Sequence, residues 1–204
     1  MRHAVLFLAV TTLVLTAWPS NAAIVEQGHD ASPSSHIAQA AQAKRASPDR
    51  ETVRRYQAFL QKQGYDPGSI NGIVSAKTSA AVQQYRSKAD AGDRIAQYHV
   101  GVFYAQGIGV PRAPAKAARW YRRAAEQGVN AAQYQLGLMY LKGNGVPRDF
   151  IRAYAWHYVA GQGANRNARR LMRQIEKKLT SPQRQQALKL GKKLFEVCAT
   201  SKAQ

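Results

Sequence analysis

The side chains that could act as nucleophiles, general bases or metal ligands are few and scattered along this chain. It has one cysteine and five histidines in 204 residues. An enzyme needs a nucleophile beside a base, a carboxylate pair or a metal set. Short catalytic motifs such as Gly-x-Ser-x-Gly and His-Glu-x-x-His are absent. Asp90 and Asp93 are close in sequence, but they precede a predicted helix and are expected to cap it. We therefore predict a protein that is not an enzyme and binds no cofactor.

The remaining reactive side chains have structural explanations. His29 and His36 lie in a polar stretch without further ligands, so no metal site is expected there. Cys198 is expected to be a small apolar contact, with intermolecular pairing as the alternative.

The helices that would position a functional site belong to a sequence repeat between residues 96 and 163. Gln97-Tyr98 recurs 36 residues later as Gln133-Tyr134, and GIGVPR at 107–112 recurs as GNGVPR at 143–148. A constant period in this size range is the signature of a solenoid, in which each unit leaves an apolar face for its neighbour to cover. Apolar residues at helical spacing on both sides of the turn predict two helices per unit.

The repeated pattern closely resembles the Sel-one-like repeat, a relative of the tetratricopeptide repeat. It reads A-x-Y-x-x-G-x-x-Y-x-x-G-x-G-V-P, followed by A-x-x-W-Y-x-x-A-A-E-x-G, and the resemblance spans residues 91–163. It implies a scaffold for protein contacts rather than a catalyst.

One stripe of the repeats is a candidate partner-binding surface. His99 and Phe103 are four residues apart and could face an inner groove, where the second repeat has Gln135 and Met139. His157, in contrast, takes the position of a core tyrosine in the first repeat, and we expect packing there rather than catalysis.

The N-terminal segment predicts export. Residues 1–22 have the basic start, the apolar stretch and the small residues of a signal peptide, and residues 23–46 read as a flexible linker. A periplasmic location is expected, with secretion as the alternative.

The net charge of +19 predicts either that the protein binds an anionic partner or that its charged surface is simply solvated. The predicted export argues against nucleic acid as the binding partner, so phospholipid and cell-wall anions remain as the candidate partners.

Residues 47–86 resemble the peptidoglycan-binding-like domain in VRRYQAFLQKQGYDPGSINGIVSAKTSAAVQQY. The family usually has Asp at the position of Asn71, and an aromatic residue and a glycine at Val74 and Ser75. The resemblance implies a small three-helix module that binds peptidoglycan, and we expect it to lean on the first repeat through Tyr85. The polar candidates for contact with glycan or stem peptide are Tyr65, Asp66, Asn71, Lys77 and Thr78.

Residues 164–204 lack a third turn signature, and Ser181-Pro182 starts a last helix, so this segment is predicted to cap the solenoid. Arginines and lysines greatly outnumber acids there, which predicts either a solvated face or a docking surface for anions.

These features predict an all-α protein: a three-helix peptidoglycan-binding-like module, an α/α solenoid of two Sel-one-like repeats and a helical cap. The predicted function is an exported, non-enzymatic adaptor that associates with peptidoglycan and binds a protein partner through its repeats. The alternatives are a regulator of a cell-wall hydrolase or synthase, an undetected hydrolytic activity, or a secreted factor that binds a host protein.

Overall fold

A computed structural model describes residues 48–200; the predicted signal peptide (1–22) and linker (23–46) lie outside this range. The described residues belong to one compact unit. They form eight α-helices and no strand, as the predicted all-α class requires. The helices are α1 Arg50–Lys62, α2 Ala76–Asp90, α3 Arg94–Gln106, α4 Pro114–Glu126, α5 Asn130–Lys142, α6 Phe150–Gln162, α7 Arg166–Glu176 and α8 Ser181–Thr200.

Each repeat is a helical hairpin, α3 with α4 and α5 with α6, and the repeated turn explains where its helices end. Gly107 and Gly143 both adopt left-handed backbone conformations, with φ of +78° and +70°, and so terminate α3 and α5. Asp93 caps α3 as predicted, because its carboxylate accepts from the backbone N–H groups of Ile95 and Ala96. The expectation for Asp90 was wrong: it is the last residue of α2 and forms an ion pair within that helix.

The segment before the repeats differs from the expected three-helix module. Between residues 48 and 90 the structure has two helices, α1 and α2, joined by a loop at 63–75. A buried hydrogen-bond network holds this loop. Gln57 Nε2 donates to the Ile73 carbonyl at 2.8 Å, and Gln57 Oε1 accepts from Gly72 N at 2.9 Å. The loop is therefore ordered by side chains of the two helices rather than by a helix of its own.

The α1–α2 pair packs on the first repeat through aromatic rings. The ring centroid of Phe103 on α3 lies 5.4 Å from that of Tyr56 and 6.0 Å from that of Tyr85. The ring centroid of His99, also on α3, lies 4.3 Å from that of Phe59 on α1. The predicted contact through Tyr85 is confirmed, and the boundary between module and repeats is a continuous core.

The last two helices cover the second repeat. Both α7 and α8 pack on α6, and the far end of α8 also reaches α4. There the buried Cys198 lies with its Sγ 3.2 Å from the Ala125 carbonyl oxygen, so the predicted packing role of this cysteine is confirmed. Within residues 48–200, no helix combines the length and apolar character needed to cross a membrane.

Candidate functional site

An open groove lies between α1 and the first helices of the two repeats. Its volume is about 470 Å³. Tyr56, Tyr98 and Leu138 give it partly exposed apolar and aromatic surface, and Val102 and Met139 also line it but are largely buried. These side chains belong to α1, α3 and α5, so the groove exists only because the helices stack.

Tyrosine rings form the floor of the groove. Tyr98 packs on Tyr121, with ring centroids 5.8 Å apart. Burial raises the pKa of Tyr56 to about 12, with a smaller contribution from nearby Tyr98, and burial also raises the pKa values of Tyr98 and Tyr121. A phenol is neutral at physiological pH even at its ordinary pKa, so these rings offer uncharged apolar surface together with hydroxyl groups.

The rim of the groove is basic. Arg55, Arg112 and Lys142 line it, and none of the lining residues is Asp or Glu. Arg112 is held in place because its Nε donates to the Ala105 carbonyl at 3.1 Å. The lining residues include neither His nor Cys. This arrangement suits a ligand with apolar side chains and negative charges, because steering by opposite charge complements apolar burial.

Only two of the four residues of the predicted partner-binding stripe line the groove. These two are Gln135 and Met139. Phe103 is fully buried, so its assignment to an accessible surface needs correction. His99 does not line the groove either, and burial lowers its pKa, opposed by Asp93. The physical reason is that α1 covers this part of the first repeat, which no pattern within the repeats could indicate.

Three of the five residues predicted to contact peptidoglycan lie close together. Asn71 and Lys77 line a shallow depression of about 290 Å³ beside the exposed Ile73. Asp66 pairs with Lys77, with Oδ2 2.9 Å from Nζ. This hydrogen bond to Lys77 is the main cause of the lowered pKa of Asp66.

The other two loop candidates lie elsewhere. Tyr65 packs on Tyr85, with its ring under Lys88 Nζ at 5.8 Å. Thr78 is completely buried, and its hydroxyl donates to the Pro67 carbonyl at 2.9 Å. Its assignment to a direct ligand contact is corrected accordingly: Thr78 stabilises the loop from beneath.

Stacked helical hairpins around an open groove define an α/α repeat solenoid. Within that class, residues 94–129 and 130–165 match the Sel1 repeat, at nearly the predicted positions. The Sel1 repeat family is typically a non-catalytic scaffold, and its members generally mediate protein–protein interactions.

Two solved structures are similar. One is a protective antigen of uropathogenic Escherichia coli strains that displays an SLR fold, with 33% sequence identity over 83% of this chain and 34% of that chain, and a TM-score of 0.62. The other is a Sel1 repeat protein from Oxalobacter formigenes, with 32% identity over 65% of this chain and 36% of that chain, and a TM-score of 0.48. This chain thus spans about a third of the length of each. No curated protein matches it.

Proposed function

We propose that this protein is an exported, non-enzymatic adaptor whose groove holds a segment of a protein partner. The observation that carries the proposal is the groove itself, with aromatic and aliphatic side chains on its walls and three cations but no carboxylate in its lining. The expected partner segment carries apolar anchors flanked by Asp or Glu, since these satisfy both features of the groove.

Site-specific photocrosslinking in the producing cell tests this proposal. A benzoylphenylalanine at Leu138, inside the groove, should give a discrete protein adduct. The same probe at the exposed Gln83 on α2 is the control. Charge reversal of the rim (R55E, R112E and K142E) should abolish the Leu138 adduct. Equal adducts at both positions, or an adduct that survives the reversal, would reject the groove as the docking surface.

Peptidoglycan association is the second part of the proposal. It is supported by the resemblance of residues 47–86 and by the exposed depression beside Asn71 and Lys77. Ile73 lines this depression and is 50% exposed, and the adjacent Val74 is 37% exposed, so both can pack on a sugar face. Lys77 would exchange its ion pair with Asp66 for one with a stem-peptide carboxylate.

Pull-down on purified sacculi tests this second part. Deletion of residues 47–86 would strip α1 and α2 from the repeat core, so point variants are the better reagents. K77E should reduce retention, while K62E, an equal charge change at an exposed position on α1, should not. Equal losses in both variants would indicate general charge attraction, which high salt removes.

Export to the periplasm remains part of the proposal. It is supported by the signal-like residues 1–22 and is compatible with the description of the similar Escherichia coli protein as a protective antigen. The surplus of exposed arginines and lysines on α7 and α8 supports an accessory contact with an anionic surface. Cell fractionation with a periplasmic marker tests the location.

A further inference from the structure

A second pocket, separate from the groove, lies between α2, α3 and α4. Its volume is about 290 Å³. Four cations line it, together with the rings of two buried aromatic residues and a single carboxylate from Asp90. The cations are Arg86, Lys116, Arg119 and Arg123. The pocket therefore carries a surplus of three positive charges.

The protein itself neutralises little of this charge. Arg86 lies with its Nε 3.3 Å from Asp90 Oδ2, yet this Nε makes no hydrogen bond within residues 48–200. Lys116, Arg119 and Arg123 form no ion pair with any residue of the described range. Three unpaired cations on one face of α4 repel one another, because residues three, four and seven positions apart are neighbours on a helix.

The aromatic residues hold two of the cations in place. Lys116 Nζ lies 5.4 Å from the ring centroid of Tyr104, and Arg123 Cζ lies 4.7 Å from that of Trp120. Such cation–π contacts orient the charged groups and leave their N–H donors available to a ligand. Two of the four cations are thus oriented by ring contacts, while the three cationic side chains on α4 stay exposed and accessible to a ligand.

The second repeat provides an internal comparison. At the positions of Arg119 and Arg123 it has Ala155 and Val159, and both are buried. The equivalent of Arg86 there is Arg122, which donates to the hydroxyl of Tyr140 at 2.7 Å. Arg119 and Arg123 are exposed, in contrast to their buried equivalents, so the hairpin forms without the two arginines and leaves their side chains available to a ligand.

We propose that this pocket binds a phosphate group that carries two negative charges, as in a phosphomonoester or inorganic phosphate. A planar guanidinium offers paired N–H donors that match two phosphate oxygens, and a dianion offsets most of the local surplus charge. The pocket volume leaves room for a small substituent on the phosphate. Its position away from the groove means that it can be occupied while a partner protein is bound.

Isothermal titration calorimetry on the full chain at constant ionic strength tests the proposal. The probes are inorganic phosphate, glycerol 3-phosphate, and phosphatidylcholine vesicles with and without phosphatidic acid. The test variant is R119A/R123V, which copies the second repeat. The control is R50A/K62A, which removes the same charge from exposed positions on α1. R119Q, a milder change at an exposed position, serves as a second variant, and circular dichroism checks the fold of each.

Wild-type protein should bind at least one soluble phosphate, and R119A/R123V should weaken binding by about tenfold or more, because two charge-assisted interactions are lost. R119Q should weaken it less, and R50A/K62A should leave it unchanged. Binding to phosphatidic acid vesicles alone, with the same variant pattern, would assign the phosphate to a lipid headgroup. Equal weakening in both double variants, or no binding to any probe, would overturn the proposal.

Discussion

The imidazole of His157 lies directly against Gly137: a Cβ atom on this glycine would be 2.7 Å from the Cε1 and Nδ1 atoms of the ring. The first repeat has the same relationship between Tyr121 and Gly101, where the corresponding distance is 2.6 Å. In each repeat, then, a glycine lets the two helices approach until an aromatic ring fills the space of the missing side chain. Two different rings occupy one structural position.

We expect Gly101→Ala and Gly137→Ala to destabilise the protein. The added methyl group would overlap a ring held in the core, which costs about 1–3 kcal/mol and exceeds the gain in helix propensity of about 1 kcal/mol. Chemical denaturation measures the net loss, expected at up to about 2 kcal/mol. Gly161→Ala on α6 is the control, because its methyl group would come close only to the flexible Arg169 side chain, at 3.0 Å, with the Arg169 backbone nitrogen at an ordinary contact distance of 3.9 Å. A control variant as unstable as the other two would contradict this explanation.

The stability of the protein should depend on pH through His157. Burial lowers its pKa in the folded protein to about 4, whereas its ordinary value is 6.5. Between these values the unfolded chain binds more protons than the folded one. The free energy of unfolding therefore decreases as the pH falls from about 6.5 to about 4, by up to about 3 kcal/mol from this residue. Burial lowers the pKa of His99 too, which acts in the same direction.

Denaturant unfolding at several pH values measures this effect. Neither imidazole nitrogen of His157 has a hydrogen-bond partner in the described part of the chain. His157→Tyr, which copies the first repeat, should reduce the dependence above pH 4 to the part that His99 contributes, without loss of fold. A variant with the unchanged pH profile would show that another group is responsible.

The repeats could be predicted from sequence because their periodicity is local. Glycine turns, the spacing of aromatic residues and the cap at Asp93 each follow from neighbouring residues, and they lie where expected. The site could be predicted only in part, because the packing of α1 on Phe103 joins segments far apart in sequence. Nothing between residues 96 and 163 indicates that this stripe is already covered. The same limit applies to Thr78, whose type suits a ligand contact but whose hydroxyl is buried under the loop.

Gln57 should be essential for the ordered loop at 63–75. Gln57→Leu keeps the volume of the side chain but leaves the Gly72 N–H and the Ile73 carbonyl without their partner. A buried group without a partner costs about 1–3 kcal/mol. Hydrogen exchange at the Gly72 amide should accelerate, and the global stability should fall by a comparable amount. Gln61→Leu, an exposed change on the same helix, should alter neither quantity. Unchanged exchange at Gly72 would show that the loop is held by other contacts.

Phe103 should connect the N-terminal helices energetically to the repeats. It is fully buried between Tyr56 and Tyr85, so Phe103→Ala should cost about 3–5 kcal/mol. Phe195→Ala, at a 43% exposed position on α8, should cost much less. Hydrogen exchange should show α1 amides losing protection in Phe103→Ala, because α1 packs on α3 through this ring. If α1 kept its protection while the repeats lost stability, the two parts would be independent folding units. The groove between them would then lack the fixed wall that partner binding requires.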